Sequence, residues 1–250
     1  MLSTSLNYFS TISVADLAAS FVHGAIVTVS NGTQTATLRE FSQTDSAGFR
    51  LYYYTVDANN PDSVLKGAFN GQYKLSITTA DGKNYTSTTT IPTLAKTLDS
   101  LWWKTAPGNP DTTRCAMFGK FTDPKGLGNY IRYFTKVNSQ PFLTASNSTF
   151  DDEFTDGSSY DLEFDMGNDR NAINKNNDDF GFAHRGDTVT VKFCNIDKST
   201  YDFWRTWEFA YQSTNNPFSS PVTVLSNISN GGLGAFSGYA AEYKTIIIPK

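Results

Sequence analysis

The sequence predicts an all-β protein: an N-terminal Ig-like or transthyretin-like β-sandwich over residues 1–94, then a second antiparallel β domain over 95–250 that carries one amphipathic α-helix near 199–213. Three observations predict it. Aromatic residues make up 14% of the chain, with 19 Phe and 13 Tyr, against 39% hydrophobic residues in all, and such side chains suit a pleated, half-buried surface. Short apolar runs bounded by turn residues recur along the chain, whereas helical periodicity is sustained once. A length of 250 residues also fits two domains, each able to bury most of the apolar surface that it exposes when unfolded.

The first domain reads as a meander. Val14 to Ala19 forms at most one helical turn. From Ala25 the run AIVTV, a two-residue turn at Asn31-Gly32 and the run TQTATLREF describe a hairpin, because Asn-Gly tolerates positive φ. Phe49 to Val56 and Tyr73 to Thr79 alternate as strands, Asp81-Gly82 turns the chain, and Asn84 to Ile91 returns as far as Pro92. Thr93 to Ser100 then serves as the linker.

Strands of the second domain are expected at Leu101 to Lys104, Cys115 to Phe121, Asn129 to Val137, Tyr160 to Asp165, Thr188 to Cys194 and Tyr243 to Pro249. Asp123 to Asn129 holds a proline and two glycines, as a tight loop does, and Gly167 to Asn177 is a polar loop. The helix is predicted from Ser199 as N-cap with Asp202 three positions on, and it stops at Asn215-Asn216-Pro217. Its stripe of Tyr201, Trp204, Trp207 and Tyr211 is expected to lie buried against a sheet.

Charge and motif content narrow the chemistry. Twenty-four acidic residues against 20 basic ones leave a net charge of −4 with the basic residues scattered, so nothing marks a nucleic-acid surface. Only His23 and His184 are available for nucleophilic or acid–base catalysis, and neither has a persuasive setting: each reads as a surface or locally hydrogen-bonded residue. Gly234-Ala-Phe-Ser237-Gly238 misses the nucleophile-elbow pattern by one position, and Gly126-Leu-Gly128 lacks the third glycine and the helix of a phosphate loop. Cys115 and Cys194 admit either one disulfide or two buried free thiols. Asp152, Asp156 and Glu163 stand at the first, fifth and twelfth places of a calcium-loop pattern whose third place is Phe154, so the segment reads as a loose Ca²⁺ site or as a solvated acidic hairpin, with no other cofactor expected. Trp102 and Trp103 point to opposite faces of a strand, which leaves one of them as a candidate contact for a ligand or partner.

Several stretches together resemble a known family. They include Gly186-Asp-Thr-Val-Thr-Val191, Ile196 to Trp204, Asn216-Pro-Phe-Ser-Ser-Pro221 and Asn227 to Ser237, with earlier counterparts at Gly24-Ala-Ile-Val, Gly71 to Leu75, Leu98 to Leu101 and Thr122 through Arg132. In this combination the chain is similar, over nearly its whole length, to the Bacteroidetes outer-membrane lipoproteins catalogued as domain of unknown function 4249. The resemblance implies a non-enzymatic, lipid-anchored outer-membrane protein, at the cell surface or the periplasmic face, that acts as an accessory binding partner of a TonB-dependent receptor in nutrient uptake. It implies no catalytic residues. Against the pattern of that family, the leader, the lipobox cysteine and an initial strand are expected to be missing before Leu2-Ser-Thr-Ser, so that the first domain would be truncated and the membrane met only through an anchor absent from this chain. The bound molecule would be a small ligand or a glycan. An alternative is a structural or adhesive cell-surface protein, which would lack a sizeable aromatic-lined cleft in the second domain. A carbohydrate-active enzyme using acidic residues of 151–165 ranks third.

Overall fold

The computed structural model describes residues 1–6, 13–45, 48–57, 59–60, 64–170, 180–213 and 222–250, and the structural statements below concern these residues. The predicted helix stop at Asn215-Asn216-Pro217 and most of the polar loop after Gly167 lie outside them. The all-β class is what the structure shows. Two compact units form, Met1–Thr89 with Asn227–Phe236, and Thr90–Ser226 with Ser237–Lys250. The division therefore differs from two contiguous domains meeting at residue 94, because a late segment returns to the first unit.

In the first unit, α1 (Val14–Ala19) is a short helix closed by a capping box: Ser13 Oγ accepts from the Asp16 N–H at 3.1 Å, and the Asp16 carboxylate accepts from the Ser13 N–H at 2.9 Å. Strands β1 (Ile26–Ser30), β2 (Thr35–Thr44), β3 (Arg50–Thr55), β4 (Gln72–Thr78) and β5 (Asn84–Thr90) pair in the order β3-β2-β1-β4-β5. The long β2 pairs β1 through Thr35–Leu38 and β3 through Arg39–Thr44, so its two halves serve different neighbours. The described strands of this unit thus make one continuous order, and the arrangement of two facing sheets is found in the second unit.

The first hairpin turns on Gly32 and Thr33 rather than on Asn31 and Gly32. Asn31 N–H donates to Gln34 O at 3.1 Å and Gly32 takes the positive φ. Asn31 acts through its side chain, whose Oδ1 accepts from the N–H groups of Thr33 and Gln34. The β4–β5 turn is the expected one, with Gly82 at φ 83°.

Hydrogen bonds to β5 explain why Asn227–Phe236 belongs here. Ser229 N–H donates to Thr86 O at 2.8 Å, Thr86 N–H donates to Ser229 Oγ at 2.7 Å, and Ser87 Oγ donates to Asn227 O at 2.7 Å. The segment so covers the edge of β5, a position that otherwise exposes unpaired backbone. Its run NISNGGLG supplies left-handed residues, Asn230 at φ 54° and Gly231 at φ 74°, while a Cβ on Gly232 would come within 2.6 Å of the Ile228 side chain.

The second unit is a sandwich. One sheet holds β6 (Thr97–Thr105), β7 (Arg114–Thr122), β10 (Ser159–Phe164) and β11 (Ala183–His184), with β7 central; the other runs β13 (Tyr239–Ile247), β12 (Thr188–Ile196), β8 (Tyr130–Val137), β9 (Thr149–Phe150). Leu98, Met117 and Phe121 of the first sheet pack on Ile131, Tyr133, Val189, Val191 and Phe193 of the second. The other face of β12, through Cys194 and Ile196, packs on Tyr201 of α2 (Lys198–Ser213). Both cysteines are free and buried, the second of the two states the sequence allowed. No bridge forms because Cys115 points into the sandwich and Cys194 points away from it, toward the helix.

Two features of α2 depart from the sequence reading. The N-cap is Asp197, not Ser199: its Oδ1 accepts from the Thr200 N–H at 2.9 Å and from Ser199 Oγ at 3.0 Å. The aromatic stripe is buried only at Tyr201, with Trp204 and Trp207 half-buried and Tyr211 exposed. Arginines take the place of an apolar floor: the Arg132 guanidinium lies 3.5 Å from the Trp204 ring centroid, and Arg170 lies 5.0 Å from Trp207 and 5.3 Å from Tyr211. Glu208, on the same side of the helix, is buried and accepts from the Ser148 N–H at 3.0 Å, from Ser148 Oγ and from Thr149 Oγ1.

A buried ion pair fastens the start of this unit. Lys96 Nζ meets Asp123 Oδ2 at 2.8 Å with side chains 1% and 0% exposed, and Thr155 Oγ1 bridges them, accepting from Lys96 and donating to Asp123. The Asn195 amide clamps the Lys96 backbone through both its N–H and its carbonyl. Removing one member strands the other in a low-dielectric interior. Lys96→Met is expected to destabilise the second unit by about 3–5 kcal/mol, and Lys96→Met with Asp123→Leu to recover most of that loss. Urea unfolding followed by tryptophan fluorescence measures it selectively, because all 4 tryptophans lie in this unit.

Candidate functional site

The two sheets of the sandwich meet along one side and part along the other. At the closed side the Leu98 N–H, beside the bulge in β6, donates to Glu242 Oε1 of β13 at 2.7 Å. At the open side the edge strands are β10 and the two-residue β9, and between them lies a cavity of about 460 Å³. Its walls are Phe121, Ile131, Tyr133, Phe150, Tyr160, Leu162, Phe164, Val191 and Phe193. The rings brace one another: Phe121 lies 5.7 Å from Tyr160, 6.4 Å from Phe164 and 5.5 Å from Phe193, and Tyr133 lies 6.2 Å from Phe150 and 5.6 Å from Phe164.

Polar groups of the wall are engaged or stay neutral. Tyr133 OH donates to Asp165 O at 3.2 Å, and burial above all pushes its phenol far above the ordinary value, so it carries no charge near neutrality. Thr155 Oγ1 is held in the Lys96–Asp123 bridge. The interior suits an apolar group.

The rim is different in character. Asp151, Glu153, Phe154 and Arg205 surround the opening, and Phe154 is 96% exposed. Asp151, Glu153 and Arg205 also line a neighbouring hollow of about 560 Å³ with Tyr130, Lys198, Tyr201 and Asp202. There Tyr201 OH donates to Asp151 Oδ2 at 2.6 Å, the Tyr130 and Tyr201 rings stack at 4.9 Å, and Lys198 pairs with Asp202 at 2.6 Å. Burial is the main cause that raises the Tyr201 phenol, reinforced by its bond to Asp151.

Asp152 and Asp156 brace the rim. The Asp152 carboxylate accepts from the Gly128 N–H at 2.8 Å, from the Asn129 N–H at 2.9 Å and from Asn129 Nδ2 at 3.2 Å, and Asp156 Oδ1 accepts from the Gly126 N–H at 2.6 Å. Burial alone would raise the Asp152 carboxyl, but the Asn129 and Gly128 N–H groups outweigh it and hold the carboxyl below its ordinary value. These bonds tie the 152–157 turn to the 124–129 loop.

The calcium arrangement expected of Asp152, Asp156 and Glu163 is accordingly not assembled. The first two carboxylates are occupied by loop amides, and Glu163 is exposed on β10 opposite Phe118. Among the described residues no three His, Cys, Asp or Glu side chains are grouped to hold a metal ion. Trp103 packs on the sandwich core beneath the Arg185 guanidinium, whereas Trp102 stacks on Phe118 at 6.1 Å on the outer face. Neither tryptophan lines the cavity. His23 binds Glu40, as a locally hydrogen-bonded residue, and the His184 N–H donates to Asp187. The cavity itself went unread in the sequence. Its one legible trace is the alternation Tyr160, Leu162, Phe164, which assigns three apolar side chains to one face of β10.

The fold and site define an all-β protein of two units whose second unit is a sandwich with an apolar cavity at its open edge. The chain belongs to the family described as Domain of unknown function (DUF4249), whose family model matches residues 1–245. Neither a curated protein nor a solved structure matches it.

Asp152→Ala is expected to destabilise the second unit by about 1.5–3 kcal/mol, the usual range for hydrogen bonds to a charged group, and to speed hydrogen exchange at the Gly128 and Asn129 amides. Because the folded carboxyl lies below its unfolded value, the brace contributes fully above the unfolded pKa, near ~3.9, and is lost as pH falls through the lower folded value. Exchange at these two amides in wild-type protein, compared between neutral and strongly acidic buffer, measures that loss.

Proposed function

We propose that the protein is a non-enzymatic binding protein whose second unit takes the apolar part of a small ligand between its sheets. One observation carries this reading: the ring-lined cavity of about 460 Å³ at the open edge of the sandwich, within the ~300–1,000 Å³ range of small-molecule sites. A cavity of this kind also favours a ligand-binding role over a purely structural or adhesive one. The non-enzymatic reading is supported by the employment of the acidic segment, where Asp151 serves Tyr201 and Asp152 and Asp156 serve loop amides. The family resemblance supports the setting: a lipid-anchored protein of the outer membrane that hands its ligand to, or receives it from, a TonB-dependent receptor.

The neutral dye N-phenylnaphthylamine tests the cavity. Its fluorescence is expected to rise on binding, and Leu162→Lys, at a half-exposed wall position, is expected to weaken binding about tenfold or more while the melting temperature stays near wild type. Equal dye binding by the variant would remove the cavity from the account. The partnership is tested separately by co-purification from detergent-solubilised native membranes, and failure to recover a receptor barrel would count against it.

A further inference from the structure

We propose that the natural ligand is a small amphipathic amine, with its apolar body in the cavity and its cationic head at the rim. The inference rests on the binding role proposed above and adds the chemistry of the head group. The rim and the hollow beside it carry Asp151, Asp152, Glu153 and Asp202 against Lys198 and Arg205. Lys198 and Asp202 neutralise each other at 2.6 Å. Three acidic residues then face one cation, so the opening is net negative, and opposite charge across a partly desolvated boundary favours a cation.

The three acids are not equivalent. Asp152 has its oxygens filled by Gly128 and Asn129 donors and contributes only its field. Asp151 accepts the Tyr201 hydroxyl on Oδ2 alone, and Glu153 stands exposed at the lip. These two are the groups a head could meet. The exposed Phe154 ring beside them also attracts an ammonium group through its quadrupole. Arg205 leans over the Tyr201 ring at 5.9 Å and shares the rim with Asp151 and Glu153, which outnumber it and disfavour a carboxylate head.

Displacement of N-phenylnaphthylamine by octylamine, octanol and octanoate, which share one alkyl chain and differ in head charge, tests the assignment. Octylamine is expected to displace the dye about tenfold more effectively than octanol, with octanoate weakest, and the amine preference is expected to shrink at high salt as exposed charges are screened. Asp151→Asn with Glu153→Gln should bring amine and alcohol close to parity. Asn can still accept from Tyr201, and Glu153→Gln alone, at an exposed site, reads the same change should the double variant fail to fold. Octanoate binding as tightly as octylamine, or an amine preference unchanged by Glu153→Gln and by the double variant, would overturn the head-group assignment while leaving the cavity as a binding site. Failure of all three compounds to displace the dye would instead bring down the binding role itself.

Discussion

Strand β12 is buried on both faces at its C-terminal end, and the second unit is arranged to satisfy it. A strand apolar on one side can leave the other to water, but Phe193–Ile196 requires cover above and below. Val189, Val191 and Phe193 face the opposing sheet and form part of the core, and Val191 and Phe193 also wall the cavity. Cys194 and Ile196 face the other way and are closed off by Tyr201. The helix therefore sits where it does because of β12, and Asp197, the residue after the strand, starts it by accepting the Thr200 N–H. Asn195, between the two apolar sets, holds the backbone at Lys96 and brings in the buried ion pair.

The charged residues of this unit divide into those that complete the fold and those that remain available. A buried carboxylate is tolerated only where donors satisfy it. Glu208 has Ser148 and Thr149, Asp123 has Lys96 and Thr155, and Asp152 has the amides of a neighbouring loop. Each is fixed by its own partners and holds two chain segments together. Glu153, on the same turn as Asp152, is exposed and is not required for folding in this way. Neighbouring acids in one short segment thus have unlike roles, decided by which of them points inward.

That distinction marks the limit of what the sequence discloses. Alternation and turn residues make the strands legible, as at Tyr160, Leu162 and Phe164 or at the Asp81-Gly82 hairpin, because both signals are local. Pairing between distant segments leaves no such trace. The return of Asn227–Phe236 to the edge of β5 depends on bonds of the Ser229 backbone and hydroxyl to Thr86, 143 residues away, and a lone serine carries no mark of so distant a partner. The stripe on α2 has the predicted spacing, yet its rings rest on Arg132 and Arg170, whose positions come from β8 and from the chain after β10. Asp152, Asp156 and Glu163 have calcium-loop spacing in sequence, but a strand separates in space what a loop would have gathered. The two cysteines lie on different sheets, Cys115 facing the sandwich interior and Cys194 facing the helix, and a face can be assigned only once the register is known.

The cavity persists because its walls are fixed by contacts elsewhere. β9 is only two residues long and so covers little of the open edge. The rings of the wall are held edge to face or stacked against one another, and the 152–157 turn beside the opening is tied to the 124–129 loop by Asp152 and Asp156. Side chains lining a void forgo the dispersion contacts that a close-packed interior would supply. A ligand of matching shape restores those contacts without reorganising the protein, so little of its binding energy goes into ordering the site. Rigidity of the rim and the shape of the cavity are in this sense one property, produced by carboxylates that bind loop amides.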